Sequence, residues 1–133
     1  MSFRCVVVTP EQQTLDETVS QAILPAHDGL LGILTDRAPI LVKLGIGPLR
    51  IDLAGGQKRT YFIDGGIAQM KDNNLTILTQ EAISPENIDA AAAKAAYEAA
   101  KAKAPSDPKD AQERERTLER NRVKQEMATK KGA

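Results

Sequence analysis

The chain's single histidine, His27, stands beside Asp28 in a stretch dense in glycine and branched aliphatics, ILPAHDGLLGILTDRAPILVKLGIGPLR, residues 23–50. A His–Asp pair suggests a general base with its orienting carboxylate, as in a small β-sandwich hydrolase working through these two residues. Adjacent residues on an extended chain point to opposite faces and rarely hydrogen-bond in that way. No Ser or Cys sits in an elbow-like pattern. Gly29, Gly32, Gly45 and Gly47 invite comparison with a phosphate loop. They form no GxxxxGK[ST] run, and no strand-then-helix context follows them. A metal centre needs several His, Cys or clustered carboxylates at ligand spacing, and His27 and Cys5 are one of each, far apart. No catalytic residue, metal or cofactor is therefore expected, and the segment reads as turn chemistry between short strands.

Another set of charged residues lies near the other end. Residues 109–131 carry eight basic and five acidic side chains, a net of +3, with Arg114, Arg116, Arg120, Arg122 and Lys124 along one stretch. This is either a solvated helix laced with i,i+4 pairs or a basic arm that meets an acidic protein surface. Nucleic acid is a weaker reading. The stretch has no aromatic residue, and the whole chain balances 18 basic against 18 acidic side chains. By elimination, the apolar turn Gly29-Leu30-Leu31-Gly32 and the loop Asp36-Arg37-Ala38-Pro39 read as a docking surface on another protein.

The elements that must present these groups fall into two halves. Residues 1–85 carry 29 Ile, Leu, Val, Phe or Met, and residues 86–133 carry four: Ile88, Leu118, Val123 and Met127. The first half can bury a core. Leu49-Arg50-Ile51-Asp52-Leu53 alternates with the period of a half-buried strand. Ala54-Gly55-Gly56-Gln57 then turns, and Thr60-Tyr61-Phe62-Ile63 returns as a hairpin. Asp64-Gly65-Gly66 and Lys71-Asp72-Asn73-Asn74 read as further turns, separating Ile67–Met70 and Leu75–Leu78. Upstream, Phe3–Val8, Val19–Leu24, Leu31–Leu34 and Ile40–Leu44 are short strands. The expected fold class is α+β: an N-terminal antiparallel β-sandwich of about ten short strands, then a C-terminal antiparallel helical hairpin. The expected domains are 1–84 and 85–133. Cys5, in an apolar run, reads as a buried core residue. A lone cysteine makes no internal disulfide, so a reducing compartment is expected. No run of about 20 apolar residues and no signal-like segment is present, so no membrane insertion is expected.

Ser84-Pro85-Glu86-Asn87 is a helix start, with a capping Ser and Pro at the first helical position. Ten alanines follow between residues 86 and 104. Pro105 and Pro108 end that helix, and Asp107 caps a second one from about Lys109 to Thr129. The expected hairpin seam is Ile88, Ala92, Ala95, Ala99 and Ala102 against Ala111, Leu118 and Met127. Alanine methyls bury little area, at about 25 cal/mol per Å², so the hairpin is expected to leave its resting position readily.

Several segments together resemble the epsilon subunits of F-type ATP synthases, called delta in mitochondria. They are Val8-Thr9-Pro10-Glu11, Leu24-Pro25-Ala26-His27-Asp28-Gly29-Leu30-Leu31-Gly32-Ile33-Leu34, Arg37-Ala38-Pro39-Ile40-Leu41, Gly47-Pro48-Leu49-Arg50-Ile51 and Asp64-Gly65-Gly66-Ile67-Ala68-Gln69-Met70, before an Ala-rich hairpin. The resemblance spans the chain. It implies a ten-stranded sandwich with two helices and a non-catalytic rotor subunit of a proton-translocating ATP synthase. That subunit would link gamma to the c-ring, peripheral to the cytoplasmic face of a bacterial inner membrane.

Carried over by position, Asp28, Gly29, Leu30, Leu31 and Gly32 match the c-ring contact. Asp36, Arg37, Ala38 and Pro39 match the contact with gamma. Many relatives carry an acidic residue where Leu30 stands, so that contact would here be apolar. In bacterial relatives the helices extend along gamma and inhibit hydrolysis, with basic residues of the second helix facing acidic residues of the catalytic beta subunit. Arg114, Arg116, Arg120, Arg122 and Lys124 match that role. Some relatives bind ATP through Ile-Asp-x-x-Arg-Ala. Here Ala92 replaces the arginine in Ile88-Asp89-Ala90-Ala91-Ala92-Ala93, so a phosphate loses its charge-assisted partner and no tight ATP binding is expected.

Overall fold

The computed structural model describes residues 2–130. Met1 and residues 131–133, which the expected domains include, lie outside the described residues. Two compact units meet between Ile83 and Ser84.

The first unit consists of strands β1 (Phe3–Val8), β2 (Gln13–Ala26), β3 (Gly29–Leu34), β4 (Ile40–Leu53), β5 (Lys58–Lys71), β6 (Asn74–Leu78) and β7 (Ala82–Ile83). The order β1-β6-β5-β4-β2 closes on itself because β2 also pairs with β1. Closure removes the open sheet edges that would otherwise template aggregation. β3 adds to the C-terminal half of β2, and β7 adds to β5. The period-two pattern holds: Phe3, Cys5 and Val7 point inward from β1, and Leu75 and Ile77 from β6. Leu24, Ile33, Leu49, Ile51, Ile63 and Met70 are fully buried, each contributing roughly 1.5–3 kcal/mol of transfer free energy. Cys5 is fully buried as well. Burial, reinforced by the Asp16 carboxylate, pushes its thiol up to about 12.

Three details of the expected sheet are corrected. Seven strands stand where about ten short ones were expected, because three of them run 14 residues. Asp64-Gly65-Gly66 is no turn. Leu44 pairs with Gly66 and Ile46 with Asp64, so the β4–β5 ladder keeps one register straight through it. Gly65 and Gly66 have φ of 68° and 108°, and glycine reaches such values without steric penalty. The result is a bend inside a strand. The sheet is also not wholly antiparallel, since β1 and β6 run parallel. Pro48 sits within β4 where the register with β2 shifts between Ile23 and Ala26. Proline has no N–H to offer a ladder, and this stretch asks for none on that side.

The second unit starts with a single turn of 3-10 helix, Pro85–Asn87, not an α-helix. Ser84 makes no side-chain cap, and Ile88 is extended and buried. Helix α1 (Ala90–Ala102) begins where Asp89 takes the cap: its carboxylate accepts from the Ala92 N–H at 3.0 Å. This later start rotates the expected seam away. Ala92, Ala95, Ala99 and Ala102 are exposed, while Ala93 is buried and Ala96, Tyr97 and Ala100 are half-buried. Helix α2 (Pro108–Lys130) begins as expected, with the Asp107 carboxylate accepting from the Asp110 N–H at 2.7 Å. Asp110 reciprocates to the Ser106 N–H at 2.9 Å. That backbone bond chiefly holds the Asp110 carboxyl below its usual range, helped by Lys103 and the Ser106 hydroxyl. Ala111 and Leu118 are half-buried, and Asn121, Val123, Met127 and Ala128 are buried.

A Cβ at position 66 would strike the carbonyl of Leu78, and φ there is in the glycine region. Gly66→Ala is therefore expected to lower the unfolding free energy by about 3 kcal/mol or more, while Gly55→Ala, with open space around it, changes it by less than about 1 kcal/mol. Urea unfolding followed by circular dichroism measures both. Equal midpoints would contradict the close approach.

Candidate docking surface

His27 and Asp28 form the exposed turn between β2 and β3, closed by Ala26 pairing with Gly29. The His27 N–H donates to the Lys43 carbonyl at 3.0 Å. Backbone, not side-chain chemistry, explains this turn. Among the described residues no group of three or more His, Cys, Asp or Glu is placed to hold a metal.

Beside the turn lies an open groove of about 510 Å³, lined by Ala26–Leu31 on one side and Ile40–Lys43 on the other. Alternation along β3 turns Leu31 and Ile33 toward the core and Leu30 and Leu34 away from it. Leu30 is 73% exposed, Leu41 68% and Leu34 58%. Of the expected c-ring residues, Asp28, Gly29, Leu30 and Gly32 are exposed and Leu31 is half-buried. Leu41, which no expectation named, shares the groove with Leu30. Its signal was in the run Ile40-Leu41-Val42, where one of three adjacent aliphatics must face outward on a strand.

Asp36 to Pro39 form the loop between β3 and β4. Asp36 has φ of 65°, a conformation that Asp and Asn tolerate better than most residues. Its N–H donates to Asn73 Oδ1 at 2.7 Å, and Asn73 Nδ2 donates back to Asp36 Oδ1 at 2.9 Å. The Asn73 carbonyl accepts from the Arg4 N–H at 3.0 Å. The loop is thus clamped to the β5–β6 turn and, through it, to β1. The Arg37 N–H donates to the Leu34 carbonyl at 3.3 Å. Its Nε is buried without a hydrogen-bond partner, and Ala38 and Pro39 are exposed. In the sequence Asn73 stands only as part of a turn. Nothing local ties it to a residue 37 positions away.

In the second unit, all five expected basic residues lie on α2. They are not equivalent. Arg122 pairs with Glu126 of its own helix at 2.8 Å. Arg114 reaches α1, with Nε donating to the Ala100 and Lys103 carbonyls and Nη2 to the Lys101 carbonyl, all at 3.0 Å. Arg116 is exposed, and Arg120 and Lys124 are half-buried. Asp89 of the nucleotide-binding pattern is engaged as the α1 cap, and Ala92 is exposed.

Residues 2–85 match the family model of the ATP synthase delta/epsilon chain β-sandwich domain. The chain belongs to this family. It is 46% identical over 89 residues to the ATP synthase epsilon chain of Rhodopirellula baltica, covering 67% of this chain and 69% of that one. It is 40% identical over 107 residues to the chloroplastic epsilon chain of Chlamydomonas reinhardtii, covering 77% and 76%. A chain in the cryo-EM structure of the Euglena gracilis mitochondrial ATP synthase, OSCP/F1/c-ring, superposes with a TM-score of 0.81 at 28% identity, covering 92% of this chain and 78% of that one. An ATP synthase epsilon chain is a structural stalk subunit, not a catalytic one, so the hydrolase reading of His27 and Asp28 falls away. No helix among the described residues is long and apolar enough to cross a membrane.

Asn73→Gly keeps the positive φ and removes only the side-chain clamp. It is expected to speed amide exchange at Asp36 on the order of tenfold, with the exchange of β4 and β5 core amides unchanged. An unchanged Asp36 amide would show that the loop holds its shape without Asn73.

Proposed function

We propose that this epsilon-family chain works in the central stalk of an ATP synthase at the cytoplasmic face of a bacterial inner membrane. The β-barrel docks on gamma and on the c-ring, and the two helices restrain ATP hydrolysis. The observation that carries docking is the groove with Leu30 and Leu41 exposed on its rim. Large apolar side chains held out in water on a closed, well-packed barrel are best explained by a partner that covers them. Asp28, Gly29, Leu30, Leu31 and Gly32 are assigned to the c-ring loops. Asp36, Arg37, Ala38 and Pro39 are assigned to gamma, with the Asp36–Asn73 clamp giving that loop a fixed shape before binding.

The regulatory part rests on the second unit. α1 buries one residue, Ala93, and its other inward positions are half-buried. Such a hairpin opens at low cost. α2 carries Arg114, Arg116, Arg120, Arg122 and Lys124, which can meet acidic residues of the alpha/beta subunits when the helices extend.

ATP synthase depleted of this subunit and rebuilt with the full chain is expected to hydrolyse ATP several-fold more slowly than enzyme rebuilt with a chain ending at Ser84. Steady-state hydrolysis in matched preparations measures this. Equal rates would mean that the helices do not inhibit.

A further inference from the structure

We infer that Arg114 is the latch of the helical hairpin, and that acidic partners compete with the end of α1 for this one guanidinium. The inference rests on the regulatory reading above for its consequence, but the latch stands on its own geometry.

The last carbonyls of any α-helix lack partners within the helix. Many helices solve this with a glycine at positive φ just past the end. Here Lys103 follows α1 in an extended conformation, φ −87° and ψ 126°. Among the described residues of this unit none has a positive φ. Arg114, in the second turn of α2, supplies the missing donors instead. Its guanidinium serves the carbonyls of Ala100, Lys101 and Lys103 at once. A cation in this place also complements the negative end of the helix dipole. The side chain is 27% exposed, so water competes with these bonds only in part.

α1 itself adds little apolar burial to closure, because alanines make up most of its inward face. A helix of α1's length is marginal on its own. One side chain that satisfies three carbonyls therefore carries a large share of what keeps α1 formed and folded onto α2. Arg114 also meets Glu115 of its own helix through Nη1 at 3.4 Å, but its Nε and Nη2 are committed to α1, whereas Arg122 pairs with Glu126 of its own helix and that pair survives any hairpin motion. To present Nε and Nη2 to an external carboxylate, Arg114 must release α1. Opening and engagement are then two outcomes of one competition, not independent events.

Amide exchange over Ala93–Ala100 in the isolated full chain tests the latch. Arg114→Ala is expected to raise exchange there about tenfold, and Arg114→Lys by less, because an ammonium lacks the planar fork that spans three carbonyls. Lys94→Gln removes one positive charge from the exposed face of α1 and is expected to leave exchange within about twofold. Core amides of β4 and β5 report that the barrel stays intact. Exchange in Arg114→Ala equal to the wild type, or a rise that Lys94→Gln reproduces, overturns the latch. Hydrolysis by enzyme rebuilt with Arg114→Ala separates the two readings. A rise in exchange with no change in hydrolysis upholds the latch and counts against the regulatory reading. Unchanged exchange defeats the latch whatever hydrolysis does.

Discussion

The backbone of β5 passes so close to the end of β6 that position 66 admits no side chain. Much of the barrel depends on that approach. Before the bend, β5 pairs with β7 through Phe62 and Ile63. After it, β5 pairs with β6 from Ile67 to Lys71. β4 follows the same path because the ladder keeps its register from Ile40–Met70 to Asp52–Lys58. The first residues of β4 are thereby placed across the groove from β3. The exposed Leu41 and Leu30 come together because two long strands bend in step, not because either lies in a special loop.

The two units use different physics. The barrel is closed by backbone ladders and filled with large aliphatics, so its surface features are held in fixed positions. The second unit has few such residues, and charged and polar groups take over the work of termini and contacts. Asp89 caps α1, Asp107 and Asp110 with Ser106 cap α2, and Arg114 closes the end of α1. Hydrogen bonds of this kind are each modest in net free energy, and a partner that offers equivalent groups can replace them. A rigid body joined to a hairpin held by exchangeable contacts is what the proposed docking and regulatory roles require.

Much of this was legible in the sequence. The division of hydrophobic residues near Ser84-Pro85 separated the two units, and alternation along Leu49–Leu53 showed the strands. The family pattern from Leu24 to Gly66 pointed to the family to which the chain belongs. What was missed has identifiable causes. Gly65-Gly66 was read as a turn because a glycine pair marks a positive φ without saying whether the chain reverses or only bends. The start of α1 was placed at Ser84 because Ser-Pro is a good local cap signal. Asp89, directly before the alanine run, won that competition, and the helical face rotated with it. The Asp36–Asn73 clamp and the Arg114 bonds join residues far apart in sequence, and no local pattern announces such pairs.

Maleimide labelling of cysteines placed at Leu41 and at Gly55, in the free chain and in the assembled enzyme, tests the central claim most directly. Native Cys5 stays silent because it is buried and its thiol is pushed up to about 12. Leu41 rims the groove, and Gly55 lies in the hairpin turn at the far end of the β4–β5 ladder. The account predicts that Leu41→Cys labels rapidly in the free chain and is protected on assembly, while Gly55→Cys labels alike in both. Equal labelling of Leu41→Cys before and after assembly would contradict it, because the groove would then face solvent in the working enzyme.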